Sequence, residues 1–135
     1  MKGMNRIKRG RGFRGLLDYL EENRDGPAPG RLTGGTMSGH TPRELAAEFK
    51  ASRQLRPDIE KPVWHNSLRM PAGEDVSDEM WDRIARDYLQ RMGFDLTKTQ
   101  VCCWKHDDEA ALHIVASRIQ LGVGRHLVWP HGQGE

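Results

Sequence analysis

The segment from Ser77 to Gly93 constrains the fold of this chain more than any other stretch. Its apolar side chains recur every three or four positions and therefore line one face of a helix; they are Trp81, Ile84, Ala85, Tyr88, Leu89 and Met92. Ser77 is a suitable N-cap, and Gly93 suits the end of the helix. A helix that is apolar on one side has to bury that side against another layer of structure.

Three segments are predicted to supply this layer as strands. Apolar and polar residues alternate along KPVWHNSLRMP (residues 61–71) and ALHIVASRI (111–119), as in a half-buried strand, and TQVCCWK (99–105) is an apolar, strand-like run. The acidic turn HDDE, residues 106–109, joins the last two segments as a hairpin. The pattern therefore contains an antiparallel sheet.

Two more helices are predicted. In residues 12–23 the apolar positions Phe13, Leu16, Leu17 and Leu20 share one helical face. The next helix starts at Thr41, where Pro42 and Glu44 complete a capping box, and it stops before Arg56 and Pro57. Helices and strands together predict an α+β fold, in which helices pack on a central antiparallel sheet.

The length of 135 residues fits one domain, which we place at residues 1–119. Residues 25–39 are rich in Gly, Pro and Ser and predict a mobile loop, and residues 120–135 predict a loose C-terminal tail. The adjacent Cys102 and Cys103 are expected to be buried thiols in a reducing compartment. No apolar stretch is long enough to span a membrane, so we expect a cytoplasmic protein.

Residues 1–11 form a basic arm. Six Lys or Arg residues and no acid occur in the first 15 positions. Two interpretations stay open: a solvated tail, or contact with a polyanion such as nucleic acid.

Three features are candidates for chemistry, and each has an ordinary alternative. Tyr19 lies on the flank of the first helix, where a tyrosine is usually a packing residue but can also act as a nucleophile. His65, His106 and His113 can converge on a metal ion, or they can be unrelated histidines. HDDE offers a cluster of carboxylates, or simply a polar turn.

Five segments, taken in order, resemble the relaxase/mobilisation nuclease family, the DNA strand transferases of plasmids and other mobile elements. The resemblance spans residues 6 to about 119, and its carriers are KRGRGFRGLLDYL, GRLTGGTMSGHTPRELAAEF, KPVWHNSLRMP, SDEMWDRIARDYLQRMGF and HDDEAALHIVASRI. It implies a relaxase-like fold with a His-hydrophobic-His motif. It also implies that further structure follows the ASR segment, so the chain is expected to be C-terminally incomplete.

The resemblance assigns roles to particular residues. Tyr19 matches the tyrosine that attacks the scissile phosphate of single-stranded DNA at a transfer origin and becomes a 5′-phosphotyrosine. His106 and His113 match ligands of a divalent metal, Mg or Mn, and His65 is a further active-site residue. The basic arm is expected to contact DNA phosphates through Lys8, Arg9, Arg11 and Arg14. Accessory relaxosome proteins are implied as partners.

The sequence departs from the family pattern at the metal site. Ala111 stands where the pattern has a second histidine beside His113, and the segment from His106 to His113 is shorter than the family pattern. Alanine cannot ligate a metal, so metal binding is expected to be weakened or lost. The leading hypothesis is therefore a metal-assisted tyrosine endonuclease. The alternatives are a catalytically inactive DNA-binding remnant and an unrelated α+β interaction module.

Overall fold

The computed structural model describes residues 2–3, 8–22, 29–71, 75–107, 110–122 and 126–130. The elements among these residues are β1 (Lys2–Gly3), β2 (Lys8–Gly10), α1 (Arg14–Glu22), β3 (Gly30–Gly35), α2 (Pro42–Leu55), β4 (Val63–Arg69), α3 (Asp78–Arg91), β5 (Val101–His106) and β6 (Ala111–Ser117).

The strands form one sheet in the order β1-β4-β6-β5-β3, and β2 also pairs with β4. Every one of these pairings is antiparallel. Strand β6 lies between β4 and β5. Val63 of β4 lies opposite Ser117 of β6, and Val101 of β5 lies opposite Ala116 of β6. The predicted hairpin of β5 and β6 and the predicted central antiparallel sheet are both confirmed.

Helices cover both faces of the sheet. Helix α3 covers one face, where its Trp81 and Leu89 join a buried cluster with Trp64 and Ile114 of the strands. Helices α1 and α2 cover the opposite face, in a second cluster whose members include Leu17, Leu20, Leu45, Phe49, Val63, Trp104 and Val115. Because neighbouring residues of a strand point to opposite faces, Ile114 and Val115 enter different clusters. The α+β class is confirmed.

The predicted helix starts agree with the structure. The Thr41 side chain accepts from the Glu44 backbone N–H at 3.1 Å, and the Glu44 carboxylate accepts from the Thr41 N–H at 3.2 Å. The pKa of Glu44 is lowered, chiefly because its carboxylate also accepts from the His40 N–H. Ser77 caps α3 by accepting from the Met80 N–H.

The prediction of a loop over residues 25–39 is wrong at Gly30–Gly35, which form strand β3 and pair with β5. Glycines normally indicate loops, but Gly30 is needed inside this sheet for close packing and Gly35 for its backbone conformation. A side chain on Gly30 would overlap the carbonyl oxygen of Leu20, and Gly35 has a φ of 129°. Residues 25–28 of the predicted loop lie outside the described residues.

The prediction of a loose tail after residue 119 is wrong for residues 126–130. Val128 is buried and forms a β-bridge with Ile119. The Trp129 indole stacks on Phe94 at a centroid distance of 5.0 Å and donates to the Met92 carbonyl at 2.7 Å. Val128 packs with Ile59 and Ile119, whereas Trp129 packs at the carboxyl end of α3, so packing continues beyond the predicted boundary. Residues 123–125 and 131–135 lie outside the described residues.

The described part of the basic arm is incorporated in the sheet as β1 and β2. Lys8 lies opposite His65 and Arg9 opposite Trp64 in the register with β4. Residues 8–10 are therefore an edge strand rather than a free tail, whereas residues 1 and 4–7 are outside the described part of the chain.

Two further expectations concern the rest of the domain. Cys102 and Cys103 are free and buried, and burial raises the pKa of Cys102 to about 12. Among the described residues, no helix has the length and apolar character needed to cross a membrane.

The capping box of α2 gives a first prediction. Replacing Thr41 by alanine should lower the free energy of unfolding by about 1 kcal/mol, since the Glu44 N–H loses its acceptor. Urea unfolding followed by circular dichroism measures the change. Thr41→Ser keeps the hydroxyl and is the matched control; equal losses in both variants would show that the cap contributes nothing.

Candidate active site

Three histidines meet on the sheet face covered by α1 and α2. In the register of β4 and β6, His65 lies opposite Val115 and Ser67 lies opposite His113, so the two histidines are diagonal neighbours on one face. Their rings share a hydrogen bond of 3.3 Å between Nε2 of His65 and Nδ1 of His113. The ring of His106, at the end of β5, lies 4.9 Å from that of His113. The predicted convergence of these residues is therefore present in the structure.

His106 also contacts helix α1 directly. Its Nε2 lies 2.6 Å from the carbonyl oxygen of Leu20, and the residue is only 4% exposed. A carbonyl oxygen can only accept, so Nε2 of His106 must hold the proton. This hydrogen bond joins the histidine cluster to the carboxyl end of α1.

Tyr19 precedes Leu20 in α1 and is 49% exposed, whereas Leu17 and Leu20 are fully buried. The sequence prediction that Tyr19 lies at the border between the buried face and solvent agrees with this exposure. Its phenol is therefore accessible to a large substrate. The helix that holds it is attached to the histidine cluster one residue further along.

The predicted DNA-binding residues lie on two neighbouring elements. Lys8 and Arg9 belong to β2, whose backbone runs beside His65 on β4. Arg11 is exposed before α1, and Arg14 in the first turn of α1 forms an exposed ion pair with Asp18 at 3.1 Å. The edge of the sheet next to the histidines thus holds basic residues, and their contact with DNA remains a prediction.

Asp107 of the acidic turn pairs with an arginine of strand β3. Asp107 accepts from the Arg31 guanidinium at 2.7 Å, and Arg31 also pairs with Asp78 at the start of α3. The hydrogen bond from Arg31 lowers the pKa of Asp107. This carboxylate links the turn to β3, and Asp108 and Glu109 lie outside the described residues.

The histidines as placed do not fit a three-imidazole metal site. His65 and His113 are hydrogen-bonded to each other, and Nε2 of His106 donates to Leu20. Ala111 is 1% exposed and shares the sheet face of His113, but it offers no donor atom. Within the described ranges, no group of three or more His, Cys, Asp or Glu side chains is placed to hold a metal ion. The assignment of His106 and His113 as metal ligands stays a prediction.

The fold agrees with a comparison against protein families. The family model of the MobA/VirD2-like relaxase nuclease domain matches residues 19–132, which is most of the chain. The chain belongs to this family, as its sequence predicted. No curated protein and no solved structure matches the chain. Membership indicates a DNA-nicking nuclease domain that acts in mobilisation, in a family that is generally metal-dependent.

Sequence reasoning missed the contact between α1 and the histidines. The Leu20 carbonyl is a backbone group, so it leaves no trace in residue type or periodicity. The one available signal was Gly30, which lies opposite His106 in the register of β3 and β5 and leaves room for that carbonyl. The Gly, Pro and Ser residues around Gly30 in the sequence had instead predicted a loop.

The missing imidazole at position 111 gives a second prediction. Ala111→His should raise the affinity for Mn²⁺ by at least about tenfold, because it adds a nitrogen ligand on the face of His113. Isothermal titration with MnCl₂ measures the affinity.

Ala111→Leu is the control for added bulk at this buried position, and thermal melts establish that both variants are folded. An unchanged Mn²⁺ affinity in a folded Ala111→His variant would show that the lost histidine does not limit metal binding.

Proposed function

We propose that this domain nicks single-stranded DNA at a transfer origin through a 5′-phosphotyrosine formed on Tyr19. The observation that carries the proposal is the position of this residue. Its exposed phenol lies on a helix whose next carbonyl is bound by His106 of the histidine cluster. The family supports the coarser statement of a nuclease in mobilisation.

The proposed reaction is a phosphoryl transfer to the phenol. The Tyr19 oxygen forms a bond to the scissile phosphorus while the bond from phosphorus to the 3′ oxygen breaks. The phenolic proton passes to solvent, and the leaving 3′ oxygen takes up a proton to become a hydroxyl. One phosphodiester is exchanged for another, so the DNA strand can later be rejoined or transferred without a separate source of energy.

His65 and His113 are proposed to orient the phosphate. Their rings are adjacent on one sheet face and share the hydrogen bond between Nε2 of His65 and Nδ1 of His113. In a neutral pair, the ring that accepts this bond holds its proton on its other nitrogen, and this N–H is proposed to donate to a non-bridging phosphate oxygen. Because the described histidines do not offer three nitrogens to one ion, each step is assigned to protein side chains alone. The basic residues of the arm and α1 bind the flanking phosphates; they are Lys8, Arg9, Arg11 and Arg14.

The proposal implies partners and a place of action. The domain acts on a single strand, so accessory relaxosome proteins are needed to open the duplex at the transfer origin. Since plasmid DNA lies in the cytoplasm, the proposed place of action is the cytoplasm.

A second candidate is a DNA-binding remnant that no longer cleaves. Ala111 favours it, because the histidine motif lacks one imidazole and the remaining rings are engaged with each other or with Leu20. The remnant would keep the sheet, the basic arm and affinity for single-stranded DNA. It would form no covalent intermediate, which separates it from the enzyme.

The covalent intermediate gives the third prediction. The protein is incubated with 3′-labelled single-stranded oligonucleotides of randomised sequence in the presence of Mn²⁺, and adducts stable in SDS are resolved by electrophoresis. We expect a labelled adduct in the wild type, because the strand that stays on the protein holds the 3′ label. Tyr19→Phe should abolish it.

The chain has one other tyrosine, which provides a matched control. Tyr88 lies on the α3 face of the sheet, where its hydroxyl accepts from the Asn66 amide at 2.7 Å. Tyr88→Phe should keep the adduct. Binding of DNA without an adduct in the wild type would support the remnant, and an adduct that persists in Tyr19→Phe would overturn the assignment of the nucleophile.

A further inference from the structure

We propose that His106 is a positioning residue for helix α1, acting together with Gly30, and that its Nε2 does not ligate metal. The inference rests on the proposed function in one respect: the residue that is positioned is Tyr19. The contact itself is a property of the free protein and can be tested without DNA.

A notch in the sheet receives the Leu20 carbonyl. We call it the Leu20 notch and define it by His106 and Gly30, which lie opposite each other on β5 and β3. His106 donates to the carbonyl oxygen at 2.6 Å. Gly30 lies against the same oxygen, and any side chain on it would overlap that atom. Strands β5 and β3 therefore together form the site that holds the Leu20 carbonyl.

The carbonyl in the notch is a buried group of helix α1. Leu20 lies near the end of the described part of this helix, Arg14–Glu22, and is fully buried. A buried carbonyl oxygen favours a hydrogen-bond donor. His106 supplies this donor from a site that is 4% exposed. Loss of the donor would remove the hydrogen bond that joins β5 to this helix.

The hydrogen bond to Leu20 restricts the ability of His106 to bind a metal. Nε2 holds its proton in order to donate to Leu20, and a protonated nitrogen has no lone pair for a metal. A metal could use this nitrogen only if the bond to α1 broke. Since Tyr19 is the residue immediately before Leu20, breaking that bond would release the part of the helix that holds the nucleophile.

The fourth prediction compares two substitutions of His106. In His106→Gln the side-chain amide can still donate an N–H to Leu20, whereas amides bind transition metals poorly. His106→Ala removes the donor. We expect His106→Ala to slow adduct formation by up to about 100-fold at saturating DNA, the loss typical of a misplaced reacting group, with little change in DNA affinity. His106→Gln should keep most of the wild-type rate.

Gly30→Ala is the companion variant, because it obstructs the notch without touching any imidazole. It should behave like His106→Ala in adduct formation and keep the metal affinity of the wild type. Equal losses of adduct formation and of Mn²⁺ affinity in His106→Gln and His106→Ala would overturn the proposal and make His106 a ligand.

A measurement on the free wild-type protein separates this inference from the proposed function. Long-range ¹⁵N–¹H NMR spectra report which nitrogen of a histidine holds the proton, and Zn²⁺ serves as a diamagnetic metal probe. We expect His106 to be protonated at Nε2 and to stay so as Zn²⁺ is added. Deprotonation of Nε2 by Zn²⁺ would contradict the inference even if the protein forms the adduct. If the protein forms no adduct, the proposed function fails, and the spectra still decide the role of His106.

Discussion

The burial of strand β6 on both faces is the constraint on which the rest of the structure depends. Its residues are buried from Ala111 to Ser117 with the single exception of His113, which is partly buried. Alternation sends Ile114 to the α3 side and Val115 to the side of α1 and α2, so each face needs helices to cover it. His113 is the partly buried residue of β6, and it belongs to the histidine cluster of the candidate active site.

Helix α1 packs on this same face through Leu17 and Leu20, and it holds the exposed Tyr19. The hydrophobic contacts of Leu17 and Leu20 hold the helix on the sheet, but packing of this kind is not directional. The hydrogen bond from His106 to the Leu20 carbonyl is directional, because it fixes one backbone atom of the helix against β5. We propose different roles for the three histidines: His65 and His113 orient the substrate phosphate, and His106 holds the helix.

Local sequence signals predicted the elements that local interactions specify. Thr41 and Ser77 marked two helix starts, alternation marked β4 and β6, and an apolar run marked β5. The convergence of His65 and His113 was also predicted. Strand β3 was missed because long-range contacts require its glycines, such as the contact of Gly30 with the Leu20 carbonyl. The packing of Trp129 on Phe94 was missed because it is a long-range contact, and Trp129 lies in the stretch GVGRHLVWPHGQGE, whose glycines and prolines indicate a loose end. The sequence thus predicted the side chains of the candidate site, but it did not predict the contact between His106 and the Leu20 carbonyl.

The central claim is that the nucleophile is the tyrosine on the helix attached to the histidine cluster. The most direct test is mass spectrometry of the trypsin-digested and nuclease-trimmed adduct formed with single-stranded DNA. The account predicts that the tryptic peptide of residues 15–24, which contains Tyr19, gains the mass of a 5′-phosphorylated nucleotide, with fragment ions that place it on the phenol. A nucleotide on any other residue, Tyr88 included, would contradict the account.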